Sequence, residues 1–328
     1  VHTFASDPSR GIYILLFLLF MVFSALIIFF STYQKEVYKF NLKSRETFIL
    51  ANNWFMIFFL ITVLIGMLYP IFLDVLTDIK ISVGPPFFNI VIIPLVVPFL
   101  FLMAIGPNFS WIKSRNNNAY KILFLILGAV GINLLISNFF GKYSFLSNLI
   151  FIAAIFLFLH LFLDIKKFIN KKNKFELPRI ISHLGFGLLV FFIGINHQFS
   201  LEEDFNLKIG EIKKTNSYEI NFEDIKITKN KNYKAIVGNF KLTNLENNVV
   251  QYLGPEIRIY SNPETLTYEA AIKTKITSDL YLTMSNVSRS DYYNIKFQNK
   301  PFMIWIWISA LMITLGGFTR LILIKNEN

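Results

Sequence analysis

The stretch Leu68-Tyr-Pro-Ile-Phe-Leu-Asp-Val-Leu-Thr-Asp-Ile-Lys-Ile-Ser-Val-Gly-Pro-Pro-Phe-Phe-Asn89 joins two long apolar runs through a link whose only charges are Asp74, Asp78 and Lys80. It closes on Gly84-Pro85-Pro86, two aromatics and Asn89. Each proline fixes φ and removes a backbone donor, and a glycine beside them permits a close approach. Two readings follow. The stretch is either a stiff connector that holds two helices and a surface in fixed relation, or a rigid turn that only starts the next helix. The two aspartates read as part of a solvated loop, the alternative being a salt bridge or a pocket lining. On either reading, two bilayer-length runs joined by so short a link make a polytopic membrane protein.

Composition agrees with that class. Of 328 residues, 54% are hydrophobic and 17% aromatic, with 37 phenylalanines and a mean hydropathy of +0.50, which is too apolar for a soluble chain of this length. The net charge of +11 is accounted for by where the lysines lie rather than by nucleic acid. There is no cysteine, so disulfides, thiolate metal sites and covalent haem attachment to this chain are excluded. The sequence opens on Val1, and Val1–Arg10 lacks the layout of a signal peptide, so an upstream segment is expected.

Working outward from the connector, apolar runs fall near 11–31, 51–74, 86–106, 119–140, 144–164, 178–196 and 301–324. The expected fold is therefore a polytopic α-helical membrane protein of about seven transmembrane helices. A small outward-facing β domain is inserted before the last helix. Pro70, Pro94 and Pro98 lie inside runs and read as kinks, since membrane helices tolerate proline where neighbours satisfy the freed carbonyls. Lysine and arginine concentrate after the first, third and fifth runs (Lys35 to Arg45, Lys113 and Arg115, Lys166 to Arg179), whereas the alternate links hold only Lys80 and Lys142. That alternation places the basic loops in the cytoplasm or matrix. The amino terminus, the 75–89 connector and 197–300 then face outward. The domains are expected as a six-span bundle over 1–196, the β domain over 197–300, and a final span with an inner tail over 301–328.

The 197–300 segment alternates apolar and polar residues in runs such as Tyr218–Phe222, Tyr233–Phe240 and Glu256–Tyr260, separated by asparagine-rich turns. It reads as a sandwich or open barrel of about six strands, either plain scaffold or a docking face for an extended polypeptide along a sheet edge. Four histidines carry what chemistry the residues suggest. His2 precedes the first span, His160 and His183 lie within spans, and His197 sits at an outer helix end. Ionisable side chains inside a membrane are costly and mark function by default, and neutral imidazole suits haem iron. His160 and His183 each fall about one turn from the inner end of a predicted span, a common depth that permits a shared ligand. Gly185 and Gly187 after His183 open one helix face to a flat macrocycle or to a neighbouring helix, the latter making His183 a packing histidine.

Several stretches resemble the C-terminal half of the CcmF/NrfE family, haem lyases of cytochrome c maturation. They are Val1-His-Thr-Phe-Ala-Ser-Asp-Pro-Ser-Arg-Gly11, Ser44-Arg-Glu46 with Asn52-Asn53, Gly66-Met-Leu-Tyr-Pro70, Lys80–Asn89, Gly106-Pro107, His183-Leu-Gly185, Gly254-Pro-Glu-Ile-Arg-Ile-Tyr260, Tyr268–Ile272, Trp305-Ile-Trp307 and Gly316-Gly317. They run along essentially the whole chain in order. The resemblance implies that His2 is an axial ligand to the haem being delivered and that His183 is an axial ligand to a separate, stable b-type haem. Gly84, Pro85, Pro86, Asn89 and Gly185 become pocket or structural motif positions. It implies the covalent thioether attachment of haem to the Cys-x-x-Cys-His segment of an apocytochrome c, with no general base nominated. Implied partners are that apocytochrome, a haem chaperone, a thiol-reducing CcmH-like subunit, membrane lipids and an N-terminal half carrying a tryptophan-rich motif; nucleic acid is not implied. The implied location is a bacterial or mitochondrial inner membrane, with the β domain on the periplasmic or intermembrane-space side. The family's tryptophan-rich motif, its first outward histidine and its other membrane histidine lie upstream of the position matching Val1, so a fragment or a split-gene product is expected. His160 has no counterpart and stands as a substitute ligand at most. A non-catalytic scaffold of the assembly complex and a secondary transporter are the alternatives. The transporter reading lacks both an inverted repeat and a paired intramembrane carboxylate.

Overall fold

A computed structural model describes residues 8–33, 41–77, 81–112, 119–141, 143–171, 176–261, 264–287 and 290–325. Among the described residues seven helices are long and apolar enough to cross a membrane: α1 (Pro8–Thr32), α2 (Arg45–Thr77), α3 (Pro85–Ile105), α4 (Ala119–Phe140), α5 (Phe145–Lys171), α6 (Leu177–Phe199) and α7 (Met303–Lys325). The chain divides into two compact units, Val1–Lys172 and Asn173–Asn328, so α6 groups with the β segment and α7.

In the first unit α5 lies innermost. Ala153, Ala154, Phe156 and Leu157 on it are fully buried, with Leu100 of α3 and Ala129 of α4. A helix apolar all round its circumference belongs at the centre of a bundle. Phe101 of α3 meets Phe156 at 4.7 Å, and Asn133 of α4 donates to Asn148 of α5 at 2.8 Å. Helix α2 runs unbroken through Pro70, and α3 through Pro94 and Pro98.

The connector is resolved in favour of the helix-start reading. Gly84 caps α3 in extended conformation, Pro85 and Pro86 occupy its first positions, and the Phe87 amide donates to the Gly84 carbonyl at 3.2 Å. Proline is favoured there because the first helical amides have no partner within the helix. Nothing crowds Gly84, where an added Cβ would meet only Pro86 Cδ at 3.5 Å. The close approach expected there falls instead at Gly66 of α2, where a Cβ would lie 2.5 Å from Phe88 and 3.3 Å from Phe87. The expectation for Asp74 is also corrected. Helix α2 carries on past it to Thr77, and the residue is only 5% exposed. Asp78 lies outside the described residues.

The β segment is a sandwich, with ten strands among the described residues. One sheet is ordered β1 (Leu201–Leu207), β10 (Tyr293–Pro301), β9 (Ser278–Asn286), β8 (Ala271–Thr274). The other is β2 (Ile212–Lys214), β3 (Tyr218–Lys229), β4 (Tyr233–Asn244), β6 (Glu256–Ser261), β7 (Glu264–Glu269), with β5 (Val250–Leu253) also pairing β4. The count exceeds the six expected because β2, β5 and β8 have three or four residues each, too few to show an alternating pattern. Both sheets bury one face in a core of Tyr218, Ile220, Phe222, Phe240, Leu242, Ile257, Leu280, Leu282, Met284, Ile295 and Phe297.

On the outer face of the first sheet, Lys296 hydrogen-bonds Glu202, which lowers the glutamate pKa and raises that of the lysine. A carboxyl depressed on folding contributes stability above its ordinary value, and that contribution is lost as pH falls through the folded value. Urea midpoints in detergent should therefore show the parent chain losing its advantage over Glu202→Gln as pH drops below about 4. The pair is half exposed, so the advantage should stay under about 1 kcal/mol. A difference independent of pH would exclude this ion pair as its source.

Candidate functional site

Helix α6 carries the candidate ligand, and its geometry is set by how it meets α7. An added Cβ at Gly185 would lie 2.9 Å from the Ile313 amide nitrogen and 3.0 Å from the Ser309 carbonyl oxygen. One at Gly316 would lie 2.8 Å from the Ser182 amide nitrogen and 2.9 Å from the Pro178 carbonyl oxygen. Ser182 Oγ also donates to the Ile313 carbonyl at 3.4 Å. Small residues on both helices thus bring the two backbones into contact, which is how helices associate where lipid removes the hydrophobic drive. Gly185 is therefore occupied by α7 rather than by a macrocycle.

That packing leaves His183 on another face. At 100° per residue it is turned about 100° from Ser182 and about 200° from Gly185. Gly187, one turn further along, shares its side of the helix. His183 is half-buried and stands six positions after Leu177, the first residue of α6. His197 is exposed near the other end of the helix. The two histidines expected about one turn from a helix end differ in that distance. Helix α5 continues to Lys171, so His160 stands eleven residues before its end, about three turns rather than one. His160 is 6% exposed, its Nδ1 lies 3.2 Å from the Phe156 carbonyl oxygen, and its ring packs edge-on to Phe156 at 4.4 Å. It belongs to the first unit and His183 to the second. His2 lies outside the described residues.

The remaining motifs gather into two clusters. Arg45, opening α2, donates its side chain to the Pro107 carbonyl and its amide to the Ser110 carbonyl at 2.9 Å, and lies 5.4 Å from the centre of the Trp111 ring. Gly106 packs on Phe48, a Cβ there falling 3.1 Å from the Phe48 Cβ. Ser44-Arg-Glu46 and Gly106-Pro107 therefore make one joint between α2 and α3. In the sandwich, Glu256, Arg258 and Tyr260 share the outer face of β6. Arg258 bonds Glu256 at 2.7 Å, approaches Glu269 at 3.9 Å and lies over Tyr233 at 4.8 Å. Its hydrogen bond to Glu256 raises the pKa of the guanidinium further. Beside it, Lys229, Lys231, Lys234, Tyr233, Tyr260 and Glu264 line an open depression of about 490 Å³ at two hairpin tips. Pro85 and Pro86 are exposed and Asn89 half-buried on α3, serving the helix start.

Sequence reasoning missed four features. The burial of Asp74 and the bond from Lys167 to Asn108 at 3.2 Å depend on which elements meet, although Lys167 also pairs with Asp164 one turn back on its own helix. The role of Gly66 likewise depends on Phe88, twenty-two positions away. The fourth is Phe302, whose φ of 57° is rare for a bulky residue. It makes the sharp turn from β10 into α7, and no local motif announces it.

Comparison with known proteins places this arrangement. Residues 198–301 match the family model described as the CcmF C-terminal beta-sandwich. The chain is 31% identical over 328 residues to the cytochrome c-type biogenesis protein CcmF of Pseudomonas fluorescens, covering 97% of this chain and 50% of that protein. It is 29% identical to the Escherichia coli K12 protein of the same description, again over 97% and 50%. The NrfE protein of Haemophilus influenzae is 23% identical over 97% and 51%. The chain spans about half the length of the curated relatives it matches. A solved structure described as Cytochrome c Heme Lyase CcmF shares the fold with a TM-score of 0.66 at 18% identity, covering 86% of this chain and 46% of that one.

Proposed function

With the chain matching the C-terminal half of CcmF- and NrfE-type cytochrome c-type biogenesis proteins along nearly its whole length, we propose that it forms part of a haem lyase of cytochrome c maturation. The observation that supports this most is on α6. Gly185 and Ser182 are committed to α7, while His183 sits inside a membrane-spanning helix, turned off that face, with Gly187 one turn away.

In this reading His183 is an axial ligand to a b-type haem. The donor chemistry fits, because a neutral imidazole in an apolar span suits haem iron and a glycine one turn along puts no side chain over the ring edge. When bound, such a haem supplies one-electron transfer. The second imidazole ligand would come from the tryptophan-motif half. His2 would ligate the haem being delivered until the apocytochrome histidine displaces it. In the attachment reaction each thiol adds across a haem vinyl group. Sulfur bonds to one carbon and hydrogen to the other, with no net oxidation. The chain's contribution is to position the reactants and keep water from the vinyl edges.

The sandwich would face the periplasm or intermembrane space, beside the haem chaperone and the thiol-reducing subunit. Its supporting feature is an open edge. Strand β2 pairs only with Glu219, Ile220 and Asn221 of β3, so 223–229 can take an extended apocytochrome strand.

The test is a reduced-minus-oxidised absorption spectrum of the chain purified in detergent with a tryptophan-motif partner, with and without His183→Ala. A b-type signal lost in the variant, with helical circular dichroism retained, is expected. An unchanged signal would remove His183 from the site and leave this chain a non-catalytic scaffold of the assembly complex.

A further inference from the structure

The turn between β8 and β9 is tied to the start of α7, which is itself held to the end of α6. Trp305, in the first turn of α7, donates its indole N–H to the Ile276 carbonyl at 3.0 Å. The Phe302 amide donates to the Thr277 carbonyl at 2.9 Å, and Asn196, near the end of α6, donates to the Pro301 carbonyl at 2.7 Å. Phe192 of α6 stacks on Trp305 at 5.7 Å and meets Phe302 at 5.8 Å. A segment one indole away from the first turn of a span lies at the depth of the lipid headgroups, where tryptophan concentrates.

The turn has the chemistry for that depth. The Ile276 side chain is 69% exposed although its carbonyl is taken, and Lys273 and Lys275 precede it. Among the described residues neither lysine has an ion pair. Burial and the charge of Lys273 both lower the pKa of Lys275, so an anion between the two would relieve their repulsion. Asp279 does not serve, because it is buried and its Oδ2 accepts from Thr274 at 3.4 Å. An exposed aliphatic residue next to a pair of lysines, pinned to the start of a span, fits a bilayer surface better than water.

We propose that the Lys275-Ile276-Thr277 turn is a membrane-surface anchor, with the Ile276 side chain set among lipid headgroups and Lys273 and Lys275 bound to the phosphates of anionic lipid. The sandwich is then held to the bilayer at a third point besides its two helices, which fixes its tilt over the membrane. This does not depend on the haem-lyase reading.

Because the chain has no cysteine, a single Ile276→Cys carries one environment-sensitive fluorophore without background. The reference position is Ile227→Cys. Strand β3 runs from Tyr218 beside Phe297 to Phe222 beside Tyr293, away from the junction at Pro301, so Ile227 lies toward the far end. Both labelled chains are placed in nanodiscs of phosphatidylcholine, with or without phosphatidylglycerol, containing headgroup-spin-labelled lipid. Quenching at position 276 should exceed that at 227 several-fold. It should rise with phosphatidylglycerol, and this rise should vanish in Lys273→Gln/Lys275→Gln. Equal quenching at the two positions overturns the anchor. A response at 276 that ignores both phosphatidylglycerol and the lysine substitutions overturns the anionic-lipid assignment. A label shielded only when a protein partner is added makes the turn a protein-docking site instead.

Discussion

Gly316→Ala is expected to force α6 and α7 apart, whereas Gly317→Ala, one residue along, should leave them together. A methyl group at 316 would meet the backbone nitrogen of Ser182 at 2.8 Å and the carbonyl oxygen of Pro178 at 2.9 Å. Neither atom can swing aside as a side-chain tip would, so the helices must separate and lose their other close contacts, those at Gly185 included. Overpacking of this kind costs about 1–3 kcal/mol, and in lipid no hydrophobic term offsets it. At Gly317 nothing lies within 4 Å, so alanine there should add only its helical preference, about 0.5–1 kcal/mol of stabilisation. Thermal unfolding in detergent, followed by tryptophan fluorescence, compares the two. Trp305 reports directly, since it stacks on Phe192 across the helix pair. Similar midpoints for both variants would defeat the packing account. If His183 holds a haem, Gly316→Ala should weaken that binding too, because the histidine's orientation depends on which face of α6 is committed to α7.

Phe240→Ala should unfold the sandwich while sparing the helices of the first unit. Phe240 and Phe222 are fully buried and stack with ring centres 4.3 Å apart at 11°, joining neighbouring strands β3 and β4 where the sheet meets Met284 and Phe297 of the opposing sheet. Truncating a buried phenylalanine costs about 3–5 kcal/mol, a large part of what a domain of this size has. Collapse to fill the hole is obstructed because Gly238 already receives the Met284 side chain, its sulfur 2.8 Å from where a Cβ would sit. Hydrogen exchange measured on the whole chain should show protection lost across β1–β10 and kept in α2–α5. Retained protection in the strands would mean that the core tolerates the cavity. Phe240→Leu should cost less, since part of the volume remains.

Bilayer-length hydropathy is a property of neighbouring residues, and so is the two-residue alternation of a half-buried strand. For that reason the seven spans, and a β segment between the sixth and seventh, follow from the order of residues alone. The motif residues likewise identify His183 as a candidate without coordinates. What each small or polar residue faces does not follow in this way, because that depends on partners far along the chain. Gly84 and Gly66 are both glycines beside aromatic or proline-rich stretches, yet only Gly66 is pressed by Phe88. Asp74 reads as loop until α2 is seen to enclose it. The short strands β2, β5 and β8 have too few residues to declare themselves, and become strands only because β3, β4 and β9 present open ladders to them. The same holds at the candidate ligand. Local order puts a histidine two residues before a glycine, but only the approach of α7 determines that the glycine face is filled and the histidine face is not the one that α7 covers.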